Sequence, residues 1–165
     1  MNALNAISAR AHTPRGLLNA GTKEFVSLHI GDHLFGALVT DIRDVFALKG
    51  LTQVPGARPE VAGVLNLRGR IVTAIDARRR LGMPARPQGY VDTMAVGVEH
   101  KGEVFGILVD RVGEVLRMED DEFEPNPVNL DPVWKDVSYG VYRLEGNLMI
   151  TLNLDSFLAV DPILV

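Results

Sequence analysis

The segment LFGALVTDIRDV reappears later in the chain as VFGILVDRVGEV, without a gap. Phe35, Gly36, Leu38, Val39 and Val45 recur as Phe105, Gly106, Leu108, Val109 and Val115, an offset of 70. Further on, GVLNLRGRIVTAIDARRRL is matched by GVYRLEGNLMITLNLDSFL. There Gly63, Val64, Leu67, Gly69 and Leu81 recur as Gly140, Val141, Leu144, Gly146 and Leu158, an offset of 77. Two ungapped blocks in the same order, glycines included, are an internal duplication, with a loop seven residues longer in the second copy. A duplicated chain must fold as two similar units or as one unit with internal symmetry.

Each copy reads as about five short strands and one helical turn. EFVSLHI alternates apolar and polar residues, Gly31-Asp32 supplies a two-residue turn, and HLFGALV follows as the return strand. TDIRDVFAL places Val39, Ile42 and Val45 three apart, which predicts a short helical or 3₁₀ turn. LTQVP is a brief strand ended by Pro55-Gly56. VLNL and IVTAI form a second hairpin around Arg68-Gly69. DARRRLG then makes one or two helical turns, from an N-cap at Asp76 to a stop at Gly82. Pro84 and Pro87 mark a linker, after which the order repeats. VDTMAVGVE and EVFGILVD pair around residues 100–102, DRVGEVLRM repeats the three-residue spacing at Val109, Val112 and Val115, and a polar, proline-bearing loop leads to the last hairpin. Gly36, Gly63, Gly69, Gly106, Gly140 and Gly146 are expected to be structural turn glycines. Short strands that must hide their edges favour small closed barrels, so the expected fold is all-β with two packed barrels. The expected layout is a loose tail over residues 1–22 and a domain over 23–165. Its subdomains meet near residue 87, running about 23–87 and 88–158, and the C-terminal end packs back.

With 165 residues the chain can bury a full core without staples. It has no cysteine, which excludes disulfides, thiolate catalysis and Cys-ligated metals. The net charge of −4 is a poor default for nucleic acid or an anionic membrane. No run of about 18 apolar residues occurs. The first residues lack the continuous apolar stretch of a signal peptide, and a short amphipathic anchor there is a weaker reading.

No residue set for catalysis emerges: neither a GxxxxGK phosphate loop nor HExxH is present. His29 and His33 flank the first hairpin turn and read as hairpin-end histidines, since no third metal ligand is evident; His12 and His100 stand alone. No metal and no cofactor are expected. The acidic run EDDEFE lacks the spacing of a calcium loop and reads as a solvated loop. Arg78, Arg79 and Arg80 read as a solvated face or the rim of a protein contact, because interleaved aromatics for nucleic acid are missing.

Arg68 is the informative residue. A two-residue turn needs the glycine that Gly69 supplies, but nothing about the turn demands arginine before it. The second copy keeps Gly146 and has Glu145 instead. Two readings stand: a solvated turn residue, or an arginine paired with a carboxylate and shaping a binding surface. The best local carboxylate is Asp44. The valine stripes are likewise either core or the lining of a groove between subdomains, which would fit an amphipathic helix.

GVLNLRGRIVTAIDARRRLG resembles the hallmark of the CheW family of chemotaxis coupling proteins, and FGALVTDIRDV, FGILVDRVGEV and GVYRLEGNLMITLNLDSFL resemble CheW segments in their expected order. The resemblance runs from about Glu24 to Leu158. It implies two SH3-like five-stranded β-barrels and a non-enzymatic, cytoplasmic adaptor. That adaptor ties the cytoplasmic tip of a chemoreceptor to the regulatory domain of the histidine kinase CheA, and joins other CheW-like domains in rings associated with receptor arrays at the inner membrane. Carried over by position, the receptor groove falls on Val39, Ile42, Val45, Val109 and Val112 with Arg68, and the ion pair on Asp44 and Arg68. Asp44 stands where the family commonly has Glu, Ala77 where a Leu is common, and Gly113 interrupts the second stripe. No kinase or receiver domain fits in the length, so the implied form is a stand-alone adaptor. The rival from another class is a small-barrel nucleic-acid or ligand binder.

Overall fold

The computed structural model describes residues 21–159. The tail over residues 1–20, His12 and the amphipathic segment considered there lie outside the described residues, as do residues 160–165.

The first copy supplies β1 (Thr22–Ile30), β2 (His33–Leu38), a 3₁₀ turn (Val39–Asp41), β3 (Ile42–Ala47), β4 (Val61–Leu67), β5 (Arg70–Asp76) and α1 (Ala77–Arg80). The second supplies β6 (Met94–His100), β7 (Glu103–Val109), β8 (Arg111–Glu119), a 3₁₀ turn (Asp120–Glu122), β9 (Phe123–Glu124), α2 (Pro132–Asp136), β10 (Ser138–Leu144), β11 (Asn147–Leu152) and α3 (Leu154–Phe157). These strands form a six-stranded sheet ordered β8-β1-β2-β11-β10-β9, the first sheet here, and a five-stranded one ordered β3-β6-β7-β5-β4, the second.

The sequence reading divides the chain near residue 87; the sheets divide it otherwise. The leading hairpin of each copy is exchanged. β1 and β2 sit among the second copy's strands, and β6 and β7 among the first copy's. The register repeats in detail. Val26 faces Val115 across β1 and β8, and Val96 faces Val45 across β6 and β3. Ile150 of β11 lies beside Phe35, and Thr73 of β5 beside Phe105, both in parallel pairing. Asp76 caps α1 by accepting from the Arg79 N–H, and Asn153 caps α3 by accepting from the Ser156 N–H. The duplication is therefore a symmetry of the fold, with reciprocally swapped hairpins.

The valine spacing resolves differently from the helical expectation. Val39–Asp41 is 3₁₀, but Ile42–Ala47 and Arg111–Glu119 are strands. Ile42 faces Val98 and Val45 faces Val96, so three steps along β3 span two along β6. Val112 and Val115 face Leu28 and Val26 in the same way. A bulge with one extra residue turns the period of two into three, which mimics a helix in sequence. LTQVP is reduced to a single bridge, Thr52 to Val64. The seven-residue extension in the second copy lies in the loop that carries α2. Asp131 accepts from the Val133 N–H, Pro132 opens the helix, and Trp134 is inserted into the core with its Nε1–H donating to the Leu81 carbonyl at 2.8 Å.

Among the described residues three apolar clusters result. The largest lies between the sheets and includes Leu28, Ile30 and Phe35 from one and Val96, Val98 and Ile107 from the other. Each sheet also encloses its own cluster. In the second sheet, Phe46 on edge strand β3 packs against a cluster that holds Leu65 of edge strand β4 with Ala62, Val72, Ala74, Ala95 and Leu108, so the sheet curls around one core. Phe25, Leu34, Met118, Tyr142 and Met149 do the same in the first.

Of the six glycines expected in turns, only Gly69 and Gly146 occupy them. Gly36 and Gly106 lie inside β2 and β7. Gly63 and Gly140 sit at register shifts in β4 and β10 with φ of 151° and 152°. A Cβ on Gly63 would stand 2.2 Å from the Thr52 carbonyl oxygen, and one on Gly140 would stand 2.5 Å from that of Glu124. Only glycine lets the flanking segment approach so closely.

Candidate functional site

The curl of the second sheet creates the site. β3 and β4 are its two edges; Asp44 lies on β3, and Arg68 on the turn that joins β4 to β5. Arg68 Nη1 lies 2.9 Å from Asp44 Oδ2, a close ion pair rather than an aligned hydrogen bond. The other oxygen of Asp44 accepts from the Val45 N–H at 2.9 Å, which fixes the carboxylate on its strand. Asp44 is 24% exposed and Arg68 78%, so the guanidinium is fully available to a partner. An exposed pair of this kind contributes about 0–1 kcal/mol to stability.

The backbone adds a cost. Arg68 and Gly69 are both left-handed, at φ 51° and 83°, in the manner of a type I′ hairpin turn. Asn66 Oδ1 accepts from the Gly69 N–H at 2.9 Å and braces the turn. A left-handed arginine costs roughly 1–2 kcal/mol, a penalty that glycine avoids. Turn geometry alone therefore argues against arginine at this position, and the exposed ion pair does not clearly offset the strain. Ile71, 69% exposed, stands three residues on from Arg68 and extends the tip with an apolar side chain that the spacing rules did not flag.

The stripe residues are distributed unevenly. Val45 is 38% exposed, whereas Val39, Ile42 and Val112 are half-buried against the cluster between the sheets. Val109 is only 2% exposed and belongs to the core, so it cannot line a surface groove; the end of β7 turns it inward beside Ile107. The last member of the second stripe, Val115, is 51% exposed.

Of the arginine triplet only Arg79 stays exposed. Arg78 Nε donates to Asp110 Oδ2 at 3.0 Å, and Arg79 pairs with Asp76 at 3.6 Å. Arg80 donates to the carbonyls of Phe157 and Ser156, both at 2.8 Å, and lies over the Phe157 ring. α1 is thereby stapled to its symmetry mate α3 and to the β7–β8 junction. This removes the one basic cluster on which a nucleic-acid reading would depend. The acidic run is partly structured: Glu119 and Glu122 form a reciprocal capping box, Asp120 pairs with Lys23 at 2.7 Å, and Glu124 pairs with Arg143 at 3.0 Å.

Among the described residues no group of three metal-binding side chains is assembled. His29 faces Arg111 and is pushed below its ordinary pKa by burial and then by that guanidinium. His33 packs edge-on against Trp134, and His100 Nδ1 lies 3.2 Å from Asp155. No described helix is long and apolar enough to cross a membrane.

With this geometry in place, comparison with known proteins decides the family. The family model for CheW-like domains matches residues 24–161. The chain belongs to the CheW-like family. Chemotaxis protein CheW of Rhizobium meliloti is 30% identical over 139 residues, covering 84% of this chain and 89% of that protein. CheW of Thermotoga maritima is 31% identical over 135 residues, covering 82% and 87%. Protein PilI of Pseudomonas aeruginosa is 28% identical over 120 residues, covering 73% and 67%. The crystal structure of the scaffolding protein TtCheW from Thermoanaerobacter tengcongensis superposes with a TM-score of 0.75 at 26% identity, covering 85% of this chain and 94% of that one. This CheW-like chain thus has the mostly-β, two-sheet scaffold fold of chemotaxis coupling proteins, a family of non-catalytic adaptors.

Proposed function

We propose that this CheW-like protein couples the cytoplasmic tip of a chemoreceptor to the regulatory domain of a CheA-type histidine kinase, and that it does so through different surfaces on its two pseudo-symmetric halves. The two curled sheets are read as SH3-like barrels. The supporting observation is the charge asymmetry at matching places. The second sheet carries Arg68 against Asp44, whereas the equivalent positions in the first are Glu145 and Glu114. A symmetric fold with opposite charges at its two tips offers two different partners two different surfaces.

In this reading the receptor helices lie against Val45 and the half-buried Val39, Ile42 and Val112, with Arg68 at the rim and Val109 supporting the groove from beneath. The protein works in the cytoplasm within receptor arrays, beside other CheW-like domains in rings, without nucleic acid and without entering the membrane. The deciding experiment is a pull-down from native lysate: co-recovery of a chemoreceptor and a histidine kinase is expected. Retention of neither, with salt-sensitive nucleic-acid binding below about 1 μM, would sink the reading. Arg68→Glu is expected to lower receptor binding or kinase activation at least tenfold with the fold intact. Unchanged coupling would remove Arg68 from the surface.

A further inference from the structure

The end of the first sheet's curl is an open, mostly apolar cleft of about 450 Å³, lined by Phe25, Phe123, Tyr139 and Tyr142 with Lys23 and Asp120 at its rim. Phe123 and Tyr139 are 40% and 56% exposed. The matching place on the second sheet is largely filled, leaving a smaller opening of about 240 Å³ beside Ala62 and Tyr90. Phe25, Tyr139, Tyr142 and Thr151 correspond there to Ala95, Ala62, Leu65 and Ala74, all buried. Tyr90 packs on that cluster, donating its hydroxyl to Asp76 at 2.8 Å. It arrives on the segment that precedes β6, which Arg86 anchors to Asp110 at 2.9 Å.

The segment that stands before β1 as residues 83–90 stand before β6 is residues 13–20. It carries Leu17 and Leu18. It joins the described structure at the cleft itself, where the Gly21 carbonyl accepts from the Asp120 N–H at 2.8 Å. Charge agrees independently. Residues 1–20 contain Arg10 and Arg15 and no Asp or Glu, whereas residues 119–124 beside the cleft contain five carboxylates, Asp121 and Glu122 among them exposed.

We propose that residues 13–20 fold back over this cleft, seating Leu17 and Leu18 against Phe123 and Tyr139 and setting Arg15 over Asp121 and Glu122. The tail is then the first sheet's counterpart of the Tyr90 segment, and the cleft is an internal docking site whose occupant is the chain's own N-terminal segment.

The chain has no cysteine, so engineered pairs report proximity directly. In the purified full-length protein, Leu18→Cys with Tyr139→Cys is expected to form an intramolecular disulfide at least tenfold faster than Leu18→Cys with Ile71→Cys on the other sheet. Leu17→Cys with Phe123→Cys is the second pair, should the first disturb folding. High salt, or Asp121→Asn with Glu122→Gln, is expected to slow the reaction several-fold. Removing residues 2–20 is expected to raise binding of an apolar dye several-fold. Equal rates in the near and distant pairs, together with unchanged dye binding, would leave the cleft to another protein and overturn the proposal. A predominantly intermolecular disulfide would seat a second copy there and overturn it too. Neither outcome bears on receptor or kinase coupling, since no partner is present.

Discussion

The hairpin tips Arg68-Gly69 and Glu145-Gly146 occupy equivalent places in a pseudo-symmetric fold, yet they differ in both charge and backbone. In the first tip both residues are left-handed; in the second only Gly146 is, at φ 73°. One tip presents a guanidinium held by Asp44 across the sheet edges, and the other aligns two carboxylate-bearing positions, Glu145 and Glu114. The shared feature is the glycine that closes the turn. Where the halves agree, the residue answers to geometry; where they differ, it answers to a surface. The same contrast separates the sheet ends, one narrowed by Tyr90 and one wide at Tyr139.

The comparison can be broken at its most asymmetric element first. α2 has no counterpart in the first copy, and Trp134→Ala would empty the space between Phe35 and Leu81. A loss of about 3–5 kcal/mol is expected in urea unfolding. A loss under 1 kcal/mol would mean that the extension is ornament on a core that stands without it.

The matched glycines come next. Gly63→Ala and Gly140→Ala each push a Cβ into a carbonyl at an unfavourable φ, for an expected loss of about 2–3 kcal/mol. Gly63→Ala should be the worse of the two. Its neighbours within reach are all backbone, whereas Gly140 also meets the Phe123 ring, which can move. Equal costs would show that the halves yield alike.

Two tyrosines then compare the sheets by pH. Burial first, and Asp76 second, push Tyr90 up to about 12; burial first, then Asp120 and Glu122, push Tyr142 up to about 12. A raised folded pKa means stability that is fully present below the ordinary value near 10 and is lost as pH climbs through 12. For Tyr142, at 1% exposure, the loss amounts to roughly 2–3 kcal/mol. Tyr142→Phe should flatten part of the fall in melting temperature above pH 10. An unchanged alkaline slope would assign that fall to other groups.

Arg68 gives the smallest stability effect and the largest functional one. Arg68→Gly removes the left-handed penalty together with an ion pair of about 0–1 kcal/mol, so stability should hold or rise slightly while coupling falls. Glu145→Arg at the other tip should leave receptor binding within twofold. Parallel losses at both tips would erase the asymmetry on which the two-surface reading rests.

Much of this was legible beforehand. The hairpins around Gly31-Asp32 and Arg68-Gly69, the Asp76 cap and the Gly82 stop follow from local chemistry, which acts over a few residues. Charge and the family resemblance together mark Asp44 and Arg68 as partners, while their 2.9 Å approach depends on the curl of the sheet. The bulged strands are hidden in the sequence because an extra residue disguises a period of two as three. Val39 and Val109 hold matching stripe positions, yet one is half-buried and the other is core, since only the packed neighbours decide how far each is covered. Arg78 and Arg80 look solvated in the sequence for a related reason: their acceptors, Asp110, Ser156 and Phe157, lie 32 to 77 residues away.

The sequence by itself determined the repeat, the strand-and-turn alphabet and, through the quoted motifs, the family. Repeats of residue type survive in a string because they need no partner to be read. Only the folded chain settles that the copies exchange their leading hairpins, that the cleft is wider on the first sheet than on the second, and which charges meet. Strand exchange leaves the local hydrophobic pattern unchanged, because β1 buries the same faces against β8 as it would against β3. Only the assembled sheets choose between those two solutions.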